Sequence, residues 1–281
     1  MKLAVLMRRY MDEMRCGGAL KHLLTLPIAQ AEAPGTSRDY ILHCRMRRST
    51  VAPSMVAHDV IALRGVLAYA KPGWGIDDVT DEPLREAWPI LRKEGLIGSS
   101  RRRTKVPTDA QTAAIADYFR AGSIRTDVPM ADIVLFQHDS TRRISETTRL
   151  LWADLDEKTK TILVRDMKHP RHKVGNHKRV ALPDEAFAIV MRQPRRSSSP
   201  EARIFPYLTS RIQRLYHQAV VALGYDDLRL HDSRRGGTTR LLASGRTVQE
   251  AMLVTGHDTP LMVLTTYNGL RAEDFHKRTP A

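Results

Sequence analysis

Residues able to grip and attack a phosphate recur along this chain in a definite order. In "LHDSRRGG", His231 and Arg234 lie three apart, so they share a face if the segment is helical. An imidazole beside a guanidinium fork suits a phosphate oxygen. Upstream, "TRRISETTRLLWADLD" places Arg142 and Arg143 before a short apolar helix that runs into a strand. Glu146, three residues past Arg143, can brace it or a neighbour by an ion pair. Between these motifs come Lys168, His169, His172, Lys173 and Lys178. Near the end, "TGHDTPLMVLTTYNGL" sets His257 after a glycine and Tyr267 ten positions later. A phenol has an ordinary pKa near 10, so it becomes a nucleophile only if a neighbour takes its proton. Taken singly, these features also read as a solvated basic helix start, a surface salt bridge and an aromatic on a terminal helix.

The elements that must carry these groups follow from patterning. "SMVAHDVIALRGVLAYA" (54–70) places Val56, Val60, Ile61, Leu67 and Ala70 on one helical face, with Pro53 near the start. "LAVLMRRYMDEM" and "SRDYILHCRMRR" read as shorter amphipathic helices, and "DEPLREAWPILRKEGL" as a helical piece interrupted by Pro89. The polar, basic stretch "GSSRRRTKVPTD" then breaks the pattern and reads as a linker. Its Arg101, Arg102, Arg103 and Lys105 could lie along a DNA backbone. Beyond it, Thr108 caps a helix and "ADIVLFQH" reads as a buried one. Three strand candidates follow, "LLWADLD", "KTKTILVRD" and "HKRVALP". The last two flank the loop "MKHPRHKVGN", making a hairpin with a basic tip. From Pro183 the chain is helical again. Gly224 and Gly256 fall at helix ends, and Thr247 with Glu250 forms a capping box. Asp258 or Thr259 before Pro260 restarts the helix that carries Tyr267. The expected fold is mainly α with a small β-sheet (α+β). The expected domains are a helical one over 1–97, a basic linker over 98–108 and the chemistry-bearing domain over 109–281.

The bulk numbers agree with a polyanionic partner. Across 281 residues, 45 Lys and Arg oppose 31 Asp and Glu, a net charge of +14. Such a field steers polyanions and binds phosphates without reading sequence. No apolar run is long enough to span a bilayer, and two cysteines without metal-ligand spacing suggest a reducing compartment and no zinc site. The expected location is cytoplasmic, on the nucleoid.

Read in order, Arg143, Lys168, His231, Arg234, His257 and Tyr267, with Phe205 and Pro206 between hairpin and His-x-x-Arg, resemble the tyrosine recombinase (phage integrase) family. The likeness covers roughly 105–281, and the helical first half resembles the family's core-binding domain. It implies a site-specific recombinase or integrase that cuts and rejoins DNA through a covalent 3′-phosphotyrosyl bond. Tyr267 is then the nucleophile, His231 its proton acceptor, and Arg143 and Arg234 hold the two non-bridging oxygens. His257 donates a further hydrogen bond, and Lys168 protonates the departing 5′-oxygen, with Lys173 and Lys178 as alternatives. No cofactor or metal is implied. The implied partner is double-stranded DNA with inverted-repeat recombination sites, bound by a homotetramer on paired sites and a monomer or dimer off DNA, with no membrane. Fourteen residues follow Tyr267, enough for a short docking tail. A catalytically inactive, DNA-binding relative and a type IB topoisomerase are the competing readings. Three departures stand out. Ser233 replaces the usual Leu and should weaken packing behind Arg234, and Arg235 stands where His is common. The His257-to-Tyr267 interval is ten rather than nine, so either the loop "DTPL" absorbs the extra residue before the helix begins or Tyr267 is misaimed.

Overall fold

The computed structural model describes residues 1–100, 103–168, 175–267 and 269, and for 266 and 267 the backbone only. It divides into two compact units, Met1–Arg103 and Thr104–Ala281. The first is built from helices α1 (Leu3–Met14), α2 (Gly18–Leu23), α3 (Ser37–Arg48), α4 (Pro53–Trp74) and α5 (Glu82–Lys93). α4 is its spine, packed against α1, α2 and α3, while α5 lies on α3. Val56, Val60, Leu63, Leu67 and Ala70 form the buried stripe of α4, at the three-and-four spacing of a helical face. Ile61, expected on that stripe, is 57% exposed. Each residue turns a helix by about 100°, so Ile61 has left the face that Val56 starts and Leu63 occupies it. Pro89 does not interrupt α5. Pro89 and Arg85 are both exposed, so the Arg85 carbonyl that loses its helical donor lies on the side where water can satisfy it.

The second unit holds α6 (Asp109–Arg120), α7 (Met130–Ser140), α8 (Ile144–Thr147), β1 (Leu155–Asp156), β2 (Thr161–Val164), β3 (Lys178–Ala181), α9 (Asp184–Met191), α10 (Thr209–Ala222), α11 (Asp232–Ala243), α12 (Val248–Thr255) and α13 (Pro260–Met262), closed by a π-helical turn, Val263–Tyr267. The fold is mainly α with a small antiparallel sheet in the order β1-β2-β3. α7 is buried along almost its whole length and packs against α6, α9, α10 and α11. The Phe136 and Phe205 rings meet at 5.0 Å in this core. β2 and β3 pair with Ile162 opposite Val180, both buried. "LLWADLD" is strand only at its end, because Trp152–Asp154 is a 3-10 turn. The Trp152 N–H bonds Ala202 O at 3.0 Å, and Arg165 holds the Asp154 carboxylate at 2.8 Å, so these groups are drawn away from the sheet.

Gly237 sets the distance between α7 and α11. A Cβ there would lie 2.1 Å from the His138 carbonyl oxygen and 2.9 Å from the Thr141 methyl, so only glycine allows this approach. Among the described residues, no helix is long and apolar enough to cross a membrane, and none form a cluster of three or more metal-ligating side chains.

Candidate active site

α7 ends at Ser140, and Thr141 adopts a left-handed conformation with φ 58°. The turn sends the next two arginines to different environments. Arg142 is 1% exposed, whereas the Arg143 side chain is 20% exposed at the rim. Arg143 stands at the start of α8, where the Glu146 carboxylate accepts its backbone N–H at 3.1 Å and its guanidinium at 2.6 Å. Arg142 and Arg234 each come to 3.9 Å from the same carboxylate. Burial alone would raise the Glu146 pKa, but Arg142, Arg234 and Arg143 together outweigh it and hold the group below its ordinary value. One buried anion therefore sits among three cations, which leaves a positive surplus at this place.

Arg234 lies on α11, three residues after His231, which occupies the helix-start position. Its Nη1 donates to Thr141 O at 2.7 Å and its Nη2 to Thr255 O at 3.1 Å. That same Nη2 lies 2.9 Å from His257 Nε2. His257 is delivered by Gly256, which ends α12 in the left-handed region at φ 72°. A Cβ on Gly256 would meet only the flexible end of the Met167 side chain at 2.8 Å, so it is the left-handed backbone that calls for glycine here. Burial, then Arg234, Arg143 and Arg142, lowers the His257 pKa to about 3. Burial, Arg234 and Arg143 also lower that of His231. Both imidazoles are therefore neutral at neutral pH.

Ser233 does not leave a packing defect behind Arg234. It is 2% exposed and hydrogen bonds the buried Tyr216 phenol. A polar pair fills the place where an apolar side chain was expected.

Lys168 is exposed on the hairpin arm after β2. Lys178, on β3, donates to Gly256 O at 3.0 Å and pairs with Asp258, which ties the sheet to the His257 turn. Lys173, His169 and His172 lie outside the described residues, as do Arg101, Arg102 and the tail 270–281. Arg103 closes the first unit, and Lys105 pairs with Asp227 at 2.6 Å.

The ten-residue interval from His257 to Tyr267 contains a widened turn. Pro260 begins α13 directly, so the loop is no longer than the helix start requires. The chain then passes into the π-helical turn Val263–Tyr267, which accommodates one residue more per turn than an α-helix. Val263 is fully buried beside Leu242 of α11 and Ala251 of α12. Just past the turn, Gly269 N donates to Thr239 Oγ1 at 2.9 Å. The Tyr267 backbone is thus held against α11, the helix that follows His231 and carries Arg234.

No local sign in the sequence marks Arg142, Thr141 or Thr255 as part of this site. Gly237 has one, since a glycine inside a helical stretch weakens the helix and points to a packing reason for its presence.

Residues 108–274 match the model of the phage integrase family. The chain belongs to that family. The integrase of the Tn1549 transposon, solved with transposon right-end DNA, matches at TM-score 0.68 and 15% identity, covering 99% of this chain and 98% of that one. A lambda integrase dimer bound to a COC′ core site matches at TM-score 0.58 and 13% identity, covering 96% and 78%. A lambda integrase tetramer on a Holliday junction matches at TM-score 0.56 and 14% identity, covering 92% and 78%. At these identities the structural likeness speaks for the fold. A search of curated proteins returned no match.

Proposed function

We propose that this member of the phage integrase family is a site-specific DNA recombinase acting through Tyr267. The reading rests above all on Arg143 and Arg234 converging on Glu146 beside His257, with the Tyr267 backbone held on α11. The Tyr267 oxygen attacks the phosphorus of a DNA phosphodiester, and His231 takes the phenolic proton. Arg143 and Arg234 face the two non-bridging oxygens, where negative charge grows in the transition state. The P–O5′ bond breaks, Lys168 gives a proton to the leaving oxygen, and the products are a 3′-phosphotyrosyl bond and a free 5′-hydroxyl. The covalent bond conserves the energy of the broken link, so rejoining needs no nucleotide. His257 in its neutral form serves Arg234 first, since its Nε2 lone pair faces that guanidinium.

The partner in this reading is double-stranded DNA with inverted-repeat sites, bound by a tetramer on two paired sites and by a monomer or dimer elsewhere. The net charge of +14 supports it, and Arg101, Arg102, Arg103 and Lys105 would follow the backbone between a core-binding first half and a catalytic second half.

The test is a nicked suicide duplex whose sequence the protein first selects from a random pool. Wild type should form a covalent protein–DNA adduct and Tyr267→Phe none, with binding equal in both. An adduct from the Phe variant, or sequence-specific binding by wild type with no adduct, overturns the reading in favour of a non-cleaving DNA-binding protein. Relaxation of any plasmid by the monomer would instead indicate a topoisomerase.

A further inference from the structure

α7 and α12 end side by side, and the last carbonyls of a helix have no partner within it and carry partial negative charge. Two buried guanidiniums answer them in parallel. Arg234 takes the carbonyls of Thr141 and Thr255. Arg142 takes those one residue earlier, with Nε donating to Ser140 O at 3.2 Å and Nη2 donating to Val254 O. Arg142 therefore bridges two segments 112 residues apart in the chain. On one side the next residue is Arg143. On the other, Val254 lies three residues before His257. With its side chain fully covered, Arg142 has no path to a phosphate at the rim.

We propose that Arg142 is a positioning residue for strand cleavage, pinning the turn that presents Arg143 to the helix end that presents His257, and sharing Glu146 so that this carboxylate does not bind Arg143 alone. The proposal rests on the functional reading above, in which Arg143 and Arg234 hold the phosphate.

The plainer alternative is that Arg142 only fills the core. Burying a guanidinium is costly, and an apolar side chain of similar volume often serves a core as well or better. Two observations weigh against filler. An apolar side chain would leave the Ser140 and Val254 carbonyls without this donor, at the two ends that the site needs held together. Arg142 is also one of the three cations that keep Glu146 ionised, and its charge attraction is the largest single effect doing so. Without it, more of the carboxylate's field falls on Arg143, already 2.6 Å away, and Arg143 is drawn from the phosphate.

The experiment compares full-length wild type, Arg142→Met and Arg142→Lys on the selected nicked duplex, measuring DNA affinity and single-turnover adduct formation separately. A merely structural role would move folding and affinity together. Positioning predicts that Arg142→Met stays folded and binds within about twofold of wild type, but forms adduct at least about tenfold more slowly, the scale of a lost hydrogen bond to a charged group. Arg142→Lys, which keeps the charge and one donor direction, should recover part of the rate. A wild-type rate in Arg142→Met overturns the proposal, as does a parallel loss of folding, affinity and rate in both variants. If only Arg142→Met fails to fold, Arg142→Lys decides alone, and an unchanged rate overturns the proposal. Should wild type itself form no adduct, the functional reading fails, and positioning is then judged on the His257 ring nitrogens by NMR. Shifted resonances in Arg142→Lys support it, and unchanged ones overturn it.

Discussion

Arg234 Nη2 lies 2.9 Å from His257 Nε2, and because a guanidinium can only donate, the imidazole must accept. The proton then belongs on Nδ1, which faces Thr255 Oγ1 at 2.8 Å. His257 is thus a neutral brace for Arg234 in this state, and could donate to a phosphate only by changing tautomer or gaining a proton. The variants His257→Gln and His257→Ala separate these roles. An amide oxygen can accept from Arg234 and a methyl cannot. The expected order of single-turnover cleavage is wild type, then Gln, then Ala, with Ala lower by about 1.5–3 kcal/mol, the range for a hydrogen bond to a charged group. Equal losses in Gln and Ala would place the role of His257 on the substrate instead.

The depressed histidines set a pH dependence with a definite sign. His231 accepts the Tyr267 proton only when neutral. Burial, then Arg234 and Arg143, pulls its pKa below the ordinary 6.5. Cleavage should therefore rise with pH on an acid limb lying below 6.5 and be level through neutrality, as read from adduct formation rates. A limb centred at or above 6.5 contradicts the assignment. Stability follows the same sign. The His257 pKa falls to about 3, so the unfolded chain binds its proton first as pH drops. The contribution is complete above 6.5 and is lost as pH falls toward 3. The difference in thermal midpoint between wild type and His257→Gln should narrow over that interval.

Local chemistry made much of the molecule legible. Thr108 and Thr247 each cap a helix with a partner three residues on, and such boxes are visible in any sequence. The α1 and α3 bounds coincide with the segments read from amphipathic pattern. Arg142 and Arg143, by contrast, look alike in sequence. Which one enters the core depends on the left-handed turn at Thr141 and on the Val254 carbonyl far along the chain. Ser233 likewise looked like a lost apolar contact until Tyr216 supplied a buried hydroxyl for it. Tertiary partners, which no local window contains, decide these cases.

Gly237→Ala tests the approach of α11 to α7. The new Cβ would fall 2.1 Å from the His138 carbonyl oxygen, so the helices must separate and Arg234 must draw away from Thr141 O. Overpacking of this kind costs about 1–3 kcal/mol, which should appear as a lower thermal midpoint. Cleavage should fall further than DNA affinity, because Arg234 moves while the basic surface does not. An unchanged midpoint would mean that α11 is not fixed against α7 in solution.

The π-helical turn makes the spacing of Tyr267 testable by changing chain length. Between His257 and Tyr267 the chain has one residue more than the family's usual interval, and Val263–Tyr267 holds it as a widened turn. Deleting Leu264, which is 48% exposed, lets that turn relax to an ordinary α-helix while the tyrosine keeps its direction. Inserting an alanine after Leu264 instead adds a residue that the turn has no room for, rotating the tyrosine by about 100°. Adduct formation should survive the deletion to within about a hundredfold, the scale of a misplacement of about 1 Å, and disappear on insertion, with binding to the selected duplex retained in both. If the deletion abolishes the adduct while the insertion preserves it, the turn is not what keeps the tyrosine in phase.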